Sequence, residues 1–240
     1  DASIVPSTLV LKLSFTNHSL RYFIFSQTHQ QFIFFGDYTL HHVNNTNDLC
    51  QRVEQIFEKD EILQLPFSKV LIGLDEKYSL VPGEFSSLVR QSEQQSQKCG
   101  DTEIIFEASE ELLKTFKRLF AGPRVLHLNS TFFNSLLVYL NQSADKFFVN
   151  IGQSYFDVIR FDKNRKLQLM NRYEYRAATD FIYFVLLCSE ELKMDREKTE
   201  LVLSGEVETQ SKIYELCYRY FHNVSFIQQP DTVHFSKAFE

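Results

Sequence analysis

Few residues in this chain combine the side-chain types and the spacing that chemistry at a site requires. His41 and His42 are adjacent, and imidazole pairs can bind metal ions. Neighbouring residues on a strand point to opposite faces, however, so this pair predicts a solvated strand end. No P-loop, Ser/His/Asp arrangement or Cys-pair metal spacing occurs among the residues. The sequence therefore predicts no bound metal and contains no catalytic motif of these kinds.

Composition and charge exclude several classes of protein. The 240 residues are 44% hydrophobic and 23% charged, as in ordinary globular proteins. The net charge of -6 disfavours nucleic-acid binding, which depends on neutralising phosphates. No apolar run approaches the roughly 20 residues that span a bilayer, and Asp1–Val10 has no signal-like character. Four scattered cysteines fit reduced thiols, so we expect a cytoplasmic protein.

A pattern of three strands occurs twice, 136 positions apart, and a helix follows each copy. The alternation of apolar and polar residues predicts antiparallel strands joined by turns. The strands fall in Leu11–Asn17, Leu20–Phe25 and Phe32–Phe35, and again in Phe147–Gln153, Phe156–Phe161 and Leu167–Asn171. The helices are Asn47–Glu58 and Thr179–Lys193. This duplication predicts two like domains, residues 1–122 and 123–240, that face each other across a cleft.

The remaining segments predict an α/β architecture in each half. A polar, Gln/Ser-rich stretch, Gln91–Asp101, is expected to be an exposed loop. Asn47, Ser109 and Ser130 or Thr131 are expected to cap helices. Further strands are predicted at Lys69–Leu74, Glu103–Phe106, Val125–Leu128, Glu200–Leu203 and Val224–Ile227, and helices at Gly83–Arg90, Glu110–Leu119, Phe132–Leu140 and Thr209–Phe221. Each half then follows the order βββαβαβ, and the strand at Val125–Leu128 with its helix bridges the halves.

Several segments together resemble a bacterial family of unknown function that has an actin-like ATPase fold. These segments are Tyr78–Pro82, Met170–Tyr175, Thr179–Tyr183 and Leu201–Gly205. The element order is also similar to the duplicated ribonuclease-H-like fold of the actin, sugar-kinase and heat-shock chaperone ATPases. The resemblance implies two ribonuclease-H-like domains with mixed sheets flanked by helices.

The resemblance also implies where a nucleotide would bind. In active members each first hairpin has an acidic residue and glycines, because carboxylates hold hydrated Mg²⁺ and glycine lets amides approach phosphates. Here Ser14 stands at the first acidic position, and the turn around Asn17 contains no glycine. Asn150 stands at the second acidic position, and of the glycines only Gly152 and, at the adenosine turn, Gly205 remain. The sequence therefore predicts a degenerate nucleotide site, a pseudo-ATPase that uses neither ATP nor magnesium.

Structural roles and a catalytic alternative both stay open for these residues. Gly152 is predicted to be a hairpin turn glycine, and Gly205 a strand-to-helix turn glycine. Asp157 alternates with Phe156 and Val158 and is predicted to face solvent, while Thr179 and Asp180 are predicted to start a helix. The alternative is a weak ATPase or sugar-kinase-like phosphotransferase that binds ATP and magnesium and uses Asp157. A filament-forming relative of actin is a third hypothesis.

An apolar and aromatic segment beside a turn could contact another protein. Tyr78, Leu80 and Val81 form a possible partner surface, and the competing interpretation is a loop tucked onto the core. If the fold is retained while the ATPase chemistry is lost, we expect the protein to act by binding a protein partner, which the sequence does not identify. The expectation is therefore a non-catalytic binding or scaffold module, with the enzyme question left open.

Overall fold

The computed structural model describes residues 8–227 except 17, 42, 44, 92–93, 138–139, 141–144 and 163. The described chain forms two compact units, one ending at Ser135 and the other beginning at Leu136. The predicted boundary after residue 122 stays a prediction. Of the predicted site residues, Asn17 lies outside the described part.

The first unit is built on a five-stranded mixed sheet. Its strands are β1 (Leu9–Phe15), β2 (Ser19–Ser26), β3 (Gln31–Thr39), β4 (Lys69–Leu74) and β8 (Arg124–His127), in the order β3-β2-β1-β4-β8. The first three pair antiparallel, whereas β4 runs parallel to β1 and to β8. Strand β1 is central and buried on both faces, with Leu11 and Leu13 on one face and Val10 and Lys12 on the other, so it forms the middle of the sheet.

Two helices of this unit begin at side-chain caps. Helix α1 (Thr46–Lys59) is capped by Asn45, whose Oδ1 accepts from the Asp48 amide at 3.0 Å. The predicted cap, Asn47, lies inside the helix, so that prediction was wrong by two residues. Ser109 caps α3 (Glu110–Leu119) as predicted, accepting from the Leu112 amide at 3.3 Å.

A second, three-stranded sheet lies between β4 and α3 in the chain. It pairs β5 (Tyr78–Pro82), β7 (Thr102–Phe106) and β6 (Gln95–Cys99) in the order β5-β7-β6. The predicted helix after Pro82 is present as a 3-10 turn, Gly83–Phe85, followed by α2 (Ser86–Val89).

Two sequence predictions fail in this region. The Gln/Ser-rich stretch contains strand β6 instead of being a loop throughout, because Cys99 is buried and Gln97 accepts a hydrogen bond from the His127 amide at 3.0 Å. Glu103–Phe106 belongs to this small sheet, so the fifth strand of the main sheet is Arg124–His127. The segment predicted to bridge the halves therefore completes the first unit.

The helix after β8 starts earlier than predicted. Helix α4 spans Leu128–Leu136, and the hydroxyls of Ser130 and Thr131 donate to the His127 carbonyl at 2.6 and 3.4 Å. These residues therefore lie within the first turn of the helix and are not its caps.

The second unit repeats the main sheet. Its strands β9 (Lys146–Ile151), β10 (Tyr155–Phe161), β11 (Leu167–Glu174), β12 (Glu200–Gly205) and β13 (Asn223–Phe226) lie in the order β11-β10-β9-β12-β13. The helices are α5 (Ala178–Glu191) and α6 (Lys212–Tyr220). Strand directions match those of the first sheet strand for strand. The predicted fold class, two ribonuclease-H-like domains of order βββαβαβ, is confirmed, with the small sheet as an insertion in the first.

The start of α5 is stabilised by the Asp180 side chain. The Asp180 carboxylate accepts from the amides of Arg176 and Ala177 at 3.1 Å, whereas Thr179 makes no cap.

All four cysteines are reduced and buried: Cys50, Cys99, Cys188 and Cys217. Across the described residues, no helix is long and apolar enough to cross a membrane.

Candidate functional site

Four polar or charged residues line up across the second sheet. Arg172, Asp157, Asn150 and Ser204 are register partners on β11, β10, β9 and β12, and we call them the second polar row. The Ser204 hydroxyl donates to the Asn150 side-chain oxygen at 3.0 Å. The alternate residues of these strands build the apolar core of the unit, so the row lies on the opposite face.

The centre of this row is a buried ion pair. The Arg172 guanidinium donates to both oxygens of Asp157, each at 2.9 Å, and Asp157 is 0% exposed. The prediction that Asp157 faces solvent was therefore wrong. Alternation with Phe156 and Val158 correctly places Asp157 on the other face of the sheet, but Arg172 from the neighbouring strand covers it there. A bidentate pair of this geometry is strong and directional.

Aromatic rings cover the turn that follows Asn150. The Gly152 amide donates to the Tyr155 carbonyl at 2.8 Å, and the Gly152 carbonyl accepts from the Tyr175 hydroxyl at 2.7 Å. A Cβ on Gly152 would come within 3.0 Å of the Tyr155 ring, so that ring lies directly against the glycine. The Arg172 guanidinium in turn lies 4.0 Å from the centre of the Tyr155 ring. Gly152 is thus a hairpin turn glycine whose amide bonds across the turn and whose carbonyl is bound by Tyr175, the residue after β11.

The first sheet has a corresponding row. Asp37, Arg21, Ser14 and Gly73 are register partners on β3, β2, β1 and β4, and we call them the first polar row. Arg21 Nε lies 3.1 Å from Asp37 Oδ2, and both side chains are roughly half exposed. Arg21 and Asp157 are 136 positions apart, as are Ser14 and Asn150. The ion pair therefore recurs at the same place with its polarity reversed.

The turn after Ser14 is closed by one side chain. The Thr16 hydroxyl accepts from the His18 amide at 3.3 Å and from the Ser19 amide at 3.1 Å, and it contacts the Ser19 hydroxyl at 3.0 Å. The Thr16 amide donates to the Ser19 carbonyl at 3.0 Å. The amides of Thr16, His18 and Ser19 are therefore used locally.

Gly205 satisfies a strict backbone requirement. Its φ of +84° lies in the left-handed region, and a Cβ there would overlap the Ile151 carbonyl oxygen. The next amide, that of Glu206, donates to that same oxygen at 2.7 Å. The residue is thus a strand-end turn glycine as predicted, and only glycine fits without distortion.

The predicted partner surface on β5 is mostly covered. Val81 is buried, while Tyr78 and Leu80 are half-buried. The Tyr78 ring packs edge-on against the His127 ring at 4.9 Å. Val81 is a buried residue of strand β5, so the segment is not a loop; the partner surface at Tyr78, Leu80 and Val81 stays a prediction.

His127 is fixed inside the first unit by its own hydrogen bonds. Its Nδ1 accepts from the Asn129 amide at 3.0 Å, which leaves Nε2 to donate to the Glu76 carbonyl at 2.9 Å. The ring is fully buried between Tyr78 and Phe106. This neutral histidine therefore has a structural role in joining the small sheet to β8.

Sequence reasoning missed the two arginines and Asp37. One signal was available, because Arg21 and Asp157 share the spacing of the repeat, and charged residues at repeated strand positions indicate a cross-strand pair. Within the described ranges no three His, Cys, Asp or Glu side chains group closely enough to hold a metal ion.

The repeated strand order defines a class of proteins, those with the actin-like ATPase fold. A Bacteroides thetaiotaomicron VPI-5482 protein with that fold and unknown function matches at TM-score 0.81 and 13% identity, over 98% of this chain and 96% of that one. A family described as "Protein of unknown function (DUF3822)" matches residues 6–224, so the chain belongs to it. The predicted resemblance to a family of unknown function with this fold is confirmed.

Two other solved structures share the fold at low identity. A PilM–PilN type IV pilus biogenesis complex matches at TM-score 0.58 and 12% identity, over 94% of this chain and 89% of that one. The ethanolamine utilization protein EutJ from Carboxydothermus hydrogenoformans matches at TM-score 0.56 and 9% identity, over 99% and 92%. At these identities the likeness extends to the fold alone. No curated protein matches the chain.

Proposed function

We propose that this protein is a nucleotide-independent binding module with an actin-like fold, and that it acts by contacting a protein partner. The observation that carries the proposal is the state of the two hairpin turns. Each turn lacks a carboxylate at the position that the fold family uses for magnesium, Ser14 in one and Asn150 in the other. ATP and magnesium are accordingly not cofactors of this chain.

Local bonding at the turns supports the proposal. A triphosphate held by this fold needs backbone amides that point outward. In the first turn the amides of His18 and Ser19 donate to the Thr16 hydroxyl instead. In the second turn the Tyr155 ring occupies the space over Gly152. Binding a phosphate at either turn would require these contacts to break first.

The carboxylates that remain nearby are held by arginines. Mg²⁺ sites in proteins of this kind use one or two carboxylates together with phosphate oxygens and water. Asp157 has both oxygens bound by Arg172, and Asp37 pairs with Arg21. Under the alternative hypothesis, a weak ATPase or phosphotransferase, Asp157 would have to leave a bidentate pair to bind metal or accept a proton. The geometry therefore favours the non-catalytic function.

A protein partner is compatible with this fold. The PilM–PilN complex contains a protein of similar fold in an assembly with another protein. The structural likeness does not transfer that partner to this chain, but it supports a binding role that needs no turnover.

Isothermal titration with Mg-ATP tests the proposal directly. We expect no binding tighter than about 1 mM, which corresponds to roughly 4 kcal/mol of binding free energy. Micromolar binding of Mg-ATP, with phosphate release that falls in Asp157→Ala, would establish the enzymatic alternative instead.

A gain-of-charge variant distinguishes two reasons for the lack of nucleotide binding, the missing carboxylates and the closed turns. Restoring both acids in the double variant Ser14→Asp/Asn150→Asp should leave nucleotide binding undetectable, because Thr16 and Tyr155 still close the turns. Recovery of micromolar binding in the double variant would mean that only the missing carboxylates disable the site. The matched control, Ser14→Asn, introduces a polar side chain of the same size as aspartate without adding charge.

A further inference from the structure

Strand β3 is the outer strand of the first sheet and differs from its counterpart in the second. Among the described residues it pairs on one side only, with β2. Its nine residues include Phe34 and Phe35, which are 38% and 54% exposed and lie on opposite faces. The counterpart β11 exposes only polar residues: Gln168, Asn171 and Glu174. Exposed edge strands are normally protected by charge, proline, short length or a β-bulge. Along its apolar part β3 has no charge or proline and is not short, and its bulge at Ile33 has a counterpart at Gln168 on β11, so the bulge does not distinguish the two edges.

An open pocket of about 510 Å³ adjoins this strand. The Tyr22 ring forms its floor and lies over Gly36, where any Cβ would overlap the ring. Phe34 and Tyr38 flank Tyr22 in nearly parallel planes, with ring centres 5.6 and 6.4 Å away. Tyr22 itself is buried, so the accessible aromatic surface of the pocket beside the strand edge comes from Phe34 and Tyr38.

The polar wall of the pocket is acidic. Asp60 Oδ2 accepts from the hydroxyls of Tyr22 and Tyr38 at 2.5 and 2.8 Å, and Oδ1 accepts from the Ile62 amide at 3.0 Å. Glu61 lies beside it and is exposed. Neither acid forms a salt bridge with any residue in the described part of the chain. Lys59 is the single lysine or arginine among the lining residues, so the wall retains excess negative charge.

We propose that β3 and this pocket bind an extended peptide segment of a partner protein, and that the segment places a lysine or arginine side chain in the pocket. A strand added along β3 would complete backbone hydrogen bonds at the edge. Its alternate side chains would fall on the pocket face, where the aromatic rings and the negative charge of Asp60 and Glu61 attract a cation. On the other face, Phe35 favours apolar side chains at the intervening positions.

This inference rests on the proposed function and specifies the chemistry of the partner. It predicts a sequence pattern in the ligand, which is a basic residue flanked by β-branched or aromatic residues at alternate positions. A second copy of this chain does not provide the pattern through β3 itself, because the exposed charge of β3 is acidic, at Asp37.

Selection from a random nine-residue peptide library on the immobilised full chain tests the inference. Enriched peptides should contain lysine or arginine within alternating apolar residues. Binding of the best peptide should fall at least tenfold in Glu61→Lys, whose exposed side chain can change without disturbing the fold. The control Glu208→Lys makes the same charge change on the second unit and should bind like the parent.

Hydrogen exchange with the selected peptide locates the contact. Amides of Gln31–Thr39 should gain protection, whereas those of Leu167–Glu174 should not change. The inference is overturned by a lack of enrichment, by enriched peptides without basic residues, by equal binding to Glu61→Lys, or by protection elsewhere. Concentration-dependent dimerisation that protects β3 would also overturn it, in favour of a second copy.

The two proposals fail separately. If Mg-ATP does not bind and no peptide meets these criteria, only the docking site on β3 is wrong. If a basic peptide protects β3 and Mg-ATP also binds at micromolar concentration, only the nucleotide-independent function is wrong.

Discussion

The two polar rows occupy equivalent positions in two sheets of identical topology, yet their ion pairs differ in which strand holds the acid and in how far it is buried. In the first row Arg21 on β2 meets Asp37 on β3, and both side chains are roughly half exposed. In the second row the acid, Asp157, is on the inner strand and the arginine, Arg172, is on the outer one. The exposed fraction of Asp157 falls to 0%. A cross-strand pair is thus kept while its polarity and its environment change.

The difference shows which unit depends on its pair. A half-exposed pair gains little because water screens both charges, and such pairs contribute about 0–1 kcal/mol. A buried pair is expensive to break, because the remaining charge stays desolvated. We therefore expect the second unit to be sensitive to changes in its row and the first to be tolerant.

The largest expected effect is that of Arg172→Met. It leaves the Asp157 carboxylate buried without its partner, so the free energy of unfolding should fall by about 3–5 kcal/mol. Chemical denaturation followed by circular dichroism measures the loss. The double variant Asp157→Leu/Arg172→Met removes both charges and should recover much of the stability. A loss below 1 kcal/mol in the single variant would mean that burial does not distinguish the rows.

Gly205→Ala tests the backbone of the second unit. The positive φ and the overlap with the Ile151 carbonyl should together lower the free energy of unfolding by at least about 2 kcal/mol. Gly122 is the matched control in the first unit, since its φ is +60° but nothing lies within 4 Å of its Cβ position. Gly122→Ala should cost about 1 kcal/mol. Equal losses in thermal or urea unfolding would show that the contact with Ile151 relaxes easily.

A third effect belongs to the first unit alone and depends on pH. Burial and the bond to Asp60 raise the pKa of Tyr22 above its usual value near 10. The folded state therefore holds this proton more tightly than the unfolded state, and stability is complete below pH 10 and is lost as pH rises above it. The expected slope for one such group is about 1.4 kcal/mol per pH unit.

The measurement compares urea unfolding of the parent and of Tyr22→Phe between pH 8 and 11. Burial also raises the pKa of Cys99 and of Cys217 to about 12, and both variants share this contribution. Only the difference between the two curves therefore reports Tyr22. Parallel curves would contradict the assignment.

The smallest expected effect is that of Arg21→Met. Because its partner Asp37 keeps access to water, the free energy of unfolding should change by less than about 1 kcal/mol. A loss comparable with that of Arg172→Met, measured under the same denaturation conditions, would remove the contrast between the two rows.

Much of the fold could be predicted because strand alternation is a local signal. The strands of both meanders and the helices that follow them lie close to their predicted bounds, and Ser109 caps α3 as expected. The spacing of 136 positions also predicted correctly which residues are equivalent, since Ser14 and Asn150 occupy the same position in their sheets.

Other features depend on contacts that are distant in sequence. Strand β6 was missed because Gln95–Cys99 has no apolar alternation, and its partners are β7 and the amide of His127. Placing Arg124–His127 in the first sheet required knowing that β4 pairs with it. Asp157 was assigned to solvent because alternation gives the face of a strand but not what covers that face. The candidate site was therefore found only in outline, through Ser14, Asn150, Gly152 and Gly205.

Each compact unit contains two of the buried thiols, Cys50 and Cys99 in one and Cys188 and Cys217 in the other. A thiol reagent can reach such a sulfur only when the structure around it opens. The alkylation rate of each cysteine, measured by mass spectrometry of its peptide, would consequently report how often the structure around that cysteine opens. The natural sequence thus already provides reporters for each half, and no label has to be introduced.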